Sequence, residues 1–305
     1  MLSVLNLTKY FNDFKALDMI SFNVQNGKIV GLLGPNGAGK TTTIRILTGI
    51  LSQTSGEISL NNQVIDPQSR EWKSQFGVVP EVSSAFLDYS PLKNLIFSGK
   101  LYGLPTNICK SKARKVLTEF NLSEKLNVPT KKLSKGQKQR LNLSMALLHD
   151  PEFLFLDEPT TGLDVESAQF LRKRVRDLRD EGKTIFLTTH NMIEANILCD
   201  EIIIMNKGKI IASGNPEDLR KRFMPASTIE VELEEVPTNL DFLSKLKMDY
   251  SIDSQHKKLT FYSTNPVEDF SQIQSSISTA QSKIRQIKIS PASLEEIFLK
   301  ILGGN

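Results

Sequence analysis

An α/β fold organised on a parallel sheet is the architecture this sequence predicts, with an all-helical insertion between sheet strands and a small α+β unit after them. Three observations carry that prediction. Short, almost wholly apolar runs such as Lys28-Ile29-Val30-Gly31-Leu32-Leu33 and Phe153-Leu154-Phe155-Leu156 read as strands buried on both faces, as parallel sheets require. The first run leads straight into Gly34-Pro35-Asn36-Gly37-Ala38-Gly39-Lys40-Thr41, which fits the phosphate-loop pattern G-x-x-x-x-G-K-[ST], and apolar residues then recur at helical spacing. Between Pro91 and about Asp150 only helical patterns occur.

The 305 residues suffice for one large domain and a smaller one, with ordinary globular composition. A formal charge of +4 is slight for this length and gives no reason to invoke nucleic acid. The basic clusters Lys131-Lys132 with Lys135, Lys138 and Arg140, and Arg172 to Arg179, read as solvated helix faces rather than binding patches, because acidic residues are dispersed through most of the chain. Cys109 and Cys199 are too few for a disulfide framework or a metal site and suit a reducing cytoplasm. No apolar run approaches the roughly 20 residues of a membrane span, and the first residues lack a signal-peptide pattern. Work at a membrane would need a span supplied by another chain.

Leu2 to Leu7 and Ile20 to Val24 read as the opening strands. Between them Phe11, in Lys9-Tyr10-Phe11-Asn12-Asp13-Phe14, is an aromatic that could stack on a base; alone it reads more readily as core, the usual place of an aromatic near a strand end. After strand 28–33, the glycines of the loop let backbone N–H groups face inward, and the helix it opens adds partial positive charge. That cradle suits nucleotide phosphates, with Lys40 reaching the terminal phosphates and the Thr41 hydroxyl ligating Mg2+. Ile44, Leu47 and Leu51 mark the helix and Gly49 its stop. Gly56 to Leu60 and Phe76 to Pro80 read as further strands, with Asn61-Asn62 a turn and Glu81 directly after the second.

Helical spacing through Leu92, Leu95, Ile96 and Leu101, then Val116, Leu117 and Phe120, then Leu141, Met145 and Leu148 fills the insertion. Its last helix begins Leu133-Ser134-Lys135-Gly136-Gln137. Ser134 and Gln137 have capping-box spacing, yet a serine and glycine at a helix start also suit a second phosphate cradle, and the pattern does not choose between them. Strand 153–156 ends in Asp157-Glu158, at the strand edge where α/β proteins bind ligands. Asp157 is placed to hold Mg2+, directly or through water, and Glu158 to orient or deprotonate an attacking water. Leu171, Val175 and Leu178 mark a helix, and the strand from Thr184 to Thr188 delivers His190 to the same edge, where it could sense a γ-phosphate.

With these pieces in order, residues 2 to 222 resemble an ABC-transporter ATP-binding subunit, of RecA-like core with an antiparallel β subdomain and a helical subdomain at about 82–150. By that resemblance Phe11 is the adenine-stacking aromatic and residues 34–41 the Walker A loop, flanked by Thr42. Leu133 to Gln137 look like the LSGGQ signature, Asp157-Glu158 like Walker B and its catalytic glutamate, Leu163-Asp164 like the D-loop, and His190 like the switch histidine. Two positions depart: the Q-loop glutamine is Glu81, and the signature's first glycine is Lys135. Glu81 still offers a hard oxygen toward Mg2+, though its charge repels phosphates, and Lys135 matters little if Ser134 and Gly136 make the contacts. Both forms look like those of daunorubicin- and bacitracin-type (ABC-2) export ATPases, as does the Pro291-Ala292-Ser293-Leu294-Glu295-Glu296 stretch.

The resemblance implies ATP and Mg2+ as ligands, a homodimer or pseudo-dimer in which Ser134 and Gly136 close the partner's site, and a transmembrane permease through which this cytoplasmic subunit sits on the inner face of the cell membrane. A soluble ABC-type ATPase acting on DNA, ribosomes or metal-cluster assembly is the rival; a phosphate-loop GTPase is disfavoured, since Asn206-Lys207-Gly208-Lys209 lacks the aspartate of a guanine-reading motif. Residues 223–305 read as strand 228–236, helix 240–248, two short strands ending at 263, helix 266–282, strand 284–290 and helix 293–302, an order that allows a small ferredoxin-like unit.

Overall fold

The computed structural model describes the chain apart from residues 224–226, 236–242, 244–245, 247, 254, 256, 280–281, 292 and 304–305. It divides into two compact units, Met1–Asn215 and Pro216–Asn305. The sequence places the boundary after residue 222; the observed division comes earlier because the helix at Pro216–Phe223 packs against the last helix of the chain.

In the first unit, β1 (Leu2–Phe11) and β2 (Phe14–Val24) form a hairpin, and β3 (Ile29–Leu33) runs into the glycine loop and α1 (Lys40–Leu47). β4 (Ser55–Leu60) and β5 (Gln63–Val64) return beside the hairpin, giving an antiparallel sheet ordered β2-β1-β4-β5. α2 (Arg70–Ser74), capped by Ser69, precedes β6 (Phe76–Val79). The insertion holds α3 (Pro91–Leu101), α4 (Thr106–Glu119) and α5 (Lys135–Leu147), with short 3-10 turns between the last two. β7 (Phe153–Asp157), α6 (Val165–Asp180), β8 (Thr184–Thr189), α7 (Met192–Leu198), β9 (Glu201–Asn206) and β10 (Lys209–Gly214) complete the unit.

The larger sheet runs β10-β9-β3-β8-β7-β6 and is parallel except at β10. Every residue of β3, β7 and β8 is buried, as their unbroken apolar runs require. Because β8 lies between β3 and β7, Leu33 pairs with Thr189 and Asp157 with Thr188. The glycine loop, the carboxylate pair and the histidine therefore leave the sheet at one edge.

The opening strands extend beyond the expected 2–7 and 20–24, since the hairpin ladder runs on to the facing pair Phe11 and Phe14 through polar residues. Leu51 lies beyond α1, which ends at Leu47 ahead of Gly49. The stretch from Asn206 to Lys209 is the turn of the β9–β10 hairpin, with Lys207 and Gly208 both at positive φ (46° and 77°), the backbone a two-residue hairpin turn demands. Three members of the basic clusters are spent on neighbours: Lys131 pairs with Asp88, Arg174 bridges Glu119 and Glu181, and Arg179 joins Asp180 and Asp200.

The core joins both sheets to α1 around Trp72, whose ring contacts Phe76, Phe153 and Phe155 while its Nε1–H donates to the Leu47 carbonyl at 2.7 Å. In the insertion the fully buried Asn94 ties the 86–89 loop to Thr130: its Oδ1 accepts from the Phe86 N–H and its Nδ2 donates to Thr130 Oγ1.

The second unit comprises α8 (Pro216–Phe223), β11 (Ser227–Leu233), β12 (Tyr250–Asp253), β13 (Lys258–Ser263), α9 (Pro266–Thr279), β14 (Ile284–Pro291) and α10 (Leu294–Gly303). Its antiparallel sheet is ordered β12-β13-β11-β14, the arrangement of a split βαββαβ unit. The expected helix at 240–248 lies mostly outside the described residues; Leu243 and Leu246 are buried with Val231, Phe261 and Ile273. Ser293 and Glu296 form the capping box of α10.

Trp72→Ala should lower stability by about 3–5 kcal/mol, read in a denaturant melt, because it empties the meeting point of the two sheets. His149 supplies a pH test. Its ring stacks on Tyr102 at 3.6 Å between centroids, and its Nε2–H donates to the Phe76 carbonyl at 3.1 Å. Burial pulls the imidazole down from 6.5 to about 4, so the folded chain holds it neutral while the unfolded chain protonates. Stability is then lost as pH falls from about 6.5 toward 4. A His149→Gln variant should show a shallower fall of melting temperature across that window.

Candidate nucleotide-binding site

The glycine loop turns through Gly37 and Gly39 at φ 80° and 111°. At Gly39 a Cβ would lie 2.7 Å from Leu17 Cδ2 and 3.0 Å from the Ala16 carbonyl, so both conformation and space require glycine. Lys40, only 6% exposed, donates from Nζ to the Gly34 carbonyl at 2.8 Å and the Pro35 carbonyl at 3.2 Å, and lies 3.5 Å from Glu158 Oε1. Thr41 and Thr42 open α1 beside it.

Across the edge, Asp157 and Glu158 are both buried. Asp157 Oδ1 accepts from Thr188 Oγ1 at 2.5 Å and from Thr41 Oγ1 at 3.4 Å, which brings the two expected metal donors together. Glu158 takes a left-handed backbone, φ 50°, and its N–H donates to the Thr188 carbonyl at 3.1 Å. Its Oε2 accepts from Thr161 Oγ1 at 2.9 Å and lies 2.9 Å from His190 Nδ1. A carboxylate only accepts, so Nδ1 carries the proton in that bond. Thr41 and Asp157 form a hard-oxygen set of the kind Mg2+ takes, one carboxylate and a hydroxyl with room for phosphate oxygens, and Glu81 adds a carboxylate to the same cleft. Among the described residues no three His, Cys, Asp or Glu side chains gather into a ligand cage.

Lys40, Thr41, Glu158, Thr161 and His190 line a cleft of about 400 Å³ that also takes in Asn36, Gly37, Gly39, Thr42, Glu81 and the aromatics Phe11 and Phe14. Phe11, 42% exposed, lies under the Lys9 ammonium, 5.1 Å from its ring centre; Phe14, 66% exposed, stands across the hairpin tip. Gly34, Pro35 and Ala38 build the loop behind the lining residues, where Ala38 N–H donates to the Pro35 carbonyl at 3.1 Å.

Ser134 and Gly136 do not line this cleft. Ser134 is the exposed N-cap of α5, its Oγ accepting from Gln137 N–H at 3.2 Å while Gln137 Oε1 accepts from Ser134 N–H at 3.1 Å, a complete capping box. Gly136 is buried where a Cβ would strike Ser167 near the start of α6. Asp164 caps that helix through Ser167, and those bonds hold its carboxyl below the usual range. Lys135 lies over Gly162, so the bulky departure from the signature is met by a glycine.

Residues 17–161 match the family described as ABC transporter. Over 303 residues, 99% of this chain and 94% of the relative, the sequence is 34% identical to Nod factor export ATP-binding protein I of Ralstonia nicotianae. The chain belongs to the ABC transporter family. It is an ATP-hydrolysing subunit of that family, and it is also 30% identical, over 99% of its length and 98% of the relative's, to Linearmycin resistance ATP-binding protein LnrL of Bacillus subtilis. Among solved structures, an ATP binding subunit of an ABC transporter superposes at a TM-score of 0.66 with 30% identity, covering 73% of this chain and 93% of that one.

The ABC cassette has a second cavity, about 590 Å³ and chiefly apolar, where α3 and α5 meet β6. Phe86, Phe97, Leu101, Tyr102 and Met145 line it, and Ser84, just after Glu81, closes one side. Phe14, Thr161, Thr188 and Glu194 are site or supporting residues that sequence reasoning passed over. The run of hydroxyls after Glu158 and a lone acid four residues beyond His190 were the available signals.

Gly39→Ala tests the loop geometry. With about 1–3 kcal/mol of backbone strain to absorb, the variant should bind ATP some 10- to 100-fold more weakly, read by titration of the nucleotide.

Proposed function

We propose that this ATPase is the motor of a membrane exporter, lying on the cytoplasmic face and bound to a separate permease. The observation that carries the reading is the convergence of Lys40, Thr41, Asp157, Glu158 and His190 on one sheet edge beside exposed aromatics. Lys40 and the loop amides hold the phosphates, and Phe11, with Phe14 beside it, receives the adenine. Thr41 and Asp157 would hold Mg2+, with Glu81 facing it, and the ion would neutralise charge on the β- and γ-phosphates. Glu158 takes the proton of the attacking water, while His190 fixes the Glu158 carboxylate and faces the γ-phosphate.

One chain carries one phosphate loop and one signature, and its signature serine points to solvent rather than into its own cleft. Two copies, or this chain and a similar cassette, then close head to tail, Ser134 and Gly136 of one completing the site of the other. Bound ATP supplies contacts only the closed form makes, and hydrolysis removes them. The apolar groove beside the segment after Glu81 suits a permease segment, since it borders both the cleft's wall and the insertion. Whole-length similarity to proteins named for Nod factor export and linearmycin resistance supports export over a soluble ABC-type ATPase acting on DNA, ribosomes or metal clusters. On this reading the sequence pattern of the cassette extends over 1–222, its compact body is the first unit, and residues 223–305 belong to an accessory domain.

Glu158→Gln should cut turnover by about 10²- to 10⁴-fold while ATP affinity stays, and dimers should accumulate in ATP, read by light scattering after gel filtration. Undiminished turnover would refute the assignment.

A further inference from the structure

The chain behind Glu158 is tied down at each of its next three residues, to three different places. The Pro159 carbonyl accepts from Gln139 Nε2 at 3.0 Å, Thr160 Oγ1 donates to Glu194 Oε1 at 2.6 Å, and Thr161 Oγ1 returns to Glu158 itself. Gln139 belongs to α5 and Glu194 to α7, and both are buried, at 9% and 1% exposure. The second oxygen of Glu194 accepts from Thr189 Oγ1 at 2.8 Å, so one carboxylate joins the loop behind Glu158 to the strand residue before His190. Gln139 is itself aimed: its Oε1 accepts from Asn142 Nδ2 at 3.1 Å, and Asn142 Oδ1 accepts from Ser83 Oγ at 2.8 Å.

A mount of this kind answers a specific need. Glu158 holds a left-handed backbone that costs a non-glycine residue about 1–2 kcal/mol, and such a conformation persists only where its surroundings impose it. Burying a carboxylate is also costly, and burial pushes the Glu194 carboxyl above its usual range. Neither Gln139 nor Glu194 lines the nucleotide cleft.

We propose that Gln139 and Glu194 are positioning residues for ATP hydrolysis, clamping Pro159 and Thr160 so that the Glu158 carboxylate is held at its working angle to water and to His190. The proposal rests on Glu158 acting as the base. Groups that orient a catalytic centre from behind typically contribute 10- to 100-fold.

The test uses the full-length chain and three readouts: steady-state ATPase, ATP affinity and melting temperature. Gln139→Ala and Glu194→Ala should each lower kcat about 10- to 100-fold with ATP affinity unchanged. Glu194→Gln should recover most of the rate, because its amide can still accept from Thr160 and donate to Thr189 Oγ1. In a Glu158→Gln background neither alanine change should slow turnover further, since both act through the group already removed. If an alanine variant does not fold, Thr160→Val cuts the same link with little change of shape and should show the same selective fall in kcat. Full turnover in both alanine variants, a Glu194→Gln rate as low as Glu194→Ala, or a further fall in the Glu158→Gln background would each overturn the proposal. Undiminished turnover in Glu158→Gln alone would instead remove the reading of Glu158.

Discussion

Two opposite charges, the Lys40 ammonium and the Glu158 carboxylate, lie 3.5 Å apart with almost no solvent, and the rest of the site is built to make that burial tolerable. Desolvating an ion pair costs several kcal/mol per charge, recovered only if the remaining donors and acceptors are satisfied. Here they are: Lys40 has the Gly34 and Pro35 carbonyls, and Glu158 has Thr161 and His190. The strand order β3-β8-β7 is what allows it, because the glycine loop, the histidine and the carboxylates come from segments distant in sequence and meet only when β8 is laid between the other two. Removing either charge would leave the other buried and unpaired, so this contact constrains the edge as a whole.

What could be read in the sequence was whatever is written locally. The phosphate loop, Asp157-Glu158 and the buried strands are patterns of a few consecutive residues, and the structure puts the loop between β3 and α1 and the carboxylates at the end of β7. Residues that act through assembly were not legible. Thr188 is one of three threonines in β8, undistinguished until Asp157 is paired beside it. Glu194 is an ordinary helical acid until α7 folds back over the sheet edge to meet Thr160 and Thr189. The extra length of β1 and β2 was hidden for a related reason: ladder pairing carries a hairpin through polar residues that periodicity alone ends too early.

The two departures from the family pattern have different physical weight. Lys135 costs little, since its long side chain lies along the surface over Gly162 and leaves the cap at Ser134 intact. Glu81 brings a formal negative charge into the wall of a cleft that Glu158 also lines, with Asp157 bonded to Thr41 beside it. On the proposed reading that charge is compatible with phosphates only while a cation stands between them, so the substitution ties nucleotide affinity more closely to Mg2+ than a glutamine would.

Helix α5 draws the parts together. Its 13 residues span about 20 Å, and along that length it presents Ser134 at an exposed tip, donates from Gln139 to the loop behind Glu158, and borders the apolar groove with Asn142 and Met145. A helix is stiff along its axis, and this one is fixed at its tip by its own capping box and at its middle by a buried amide relay. On the proposed reading, a partner nucleotide pressing on Ser134, or a permease segment entering the groove, would therefore act on a body that is already bonded to the loop behind Glu158. Closure, catalysis and transport need no separate line of communication if one rigid element touches all three places.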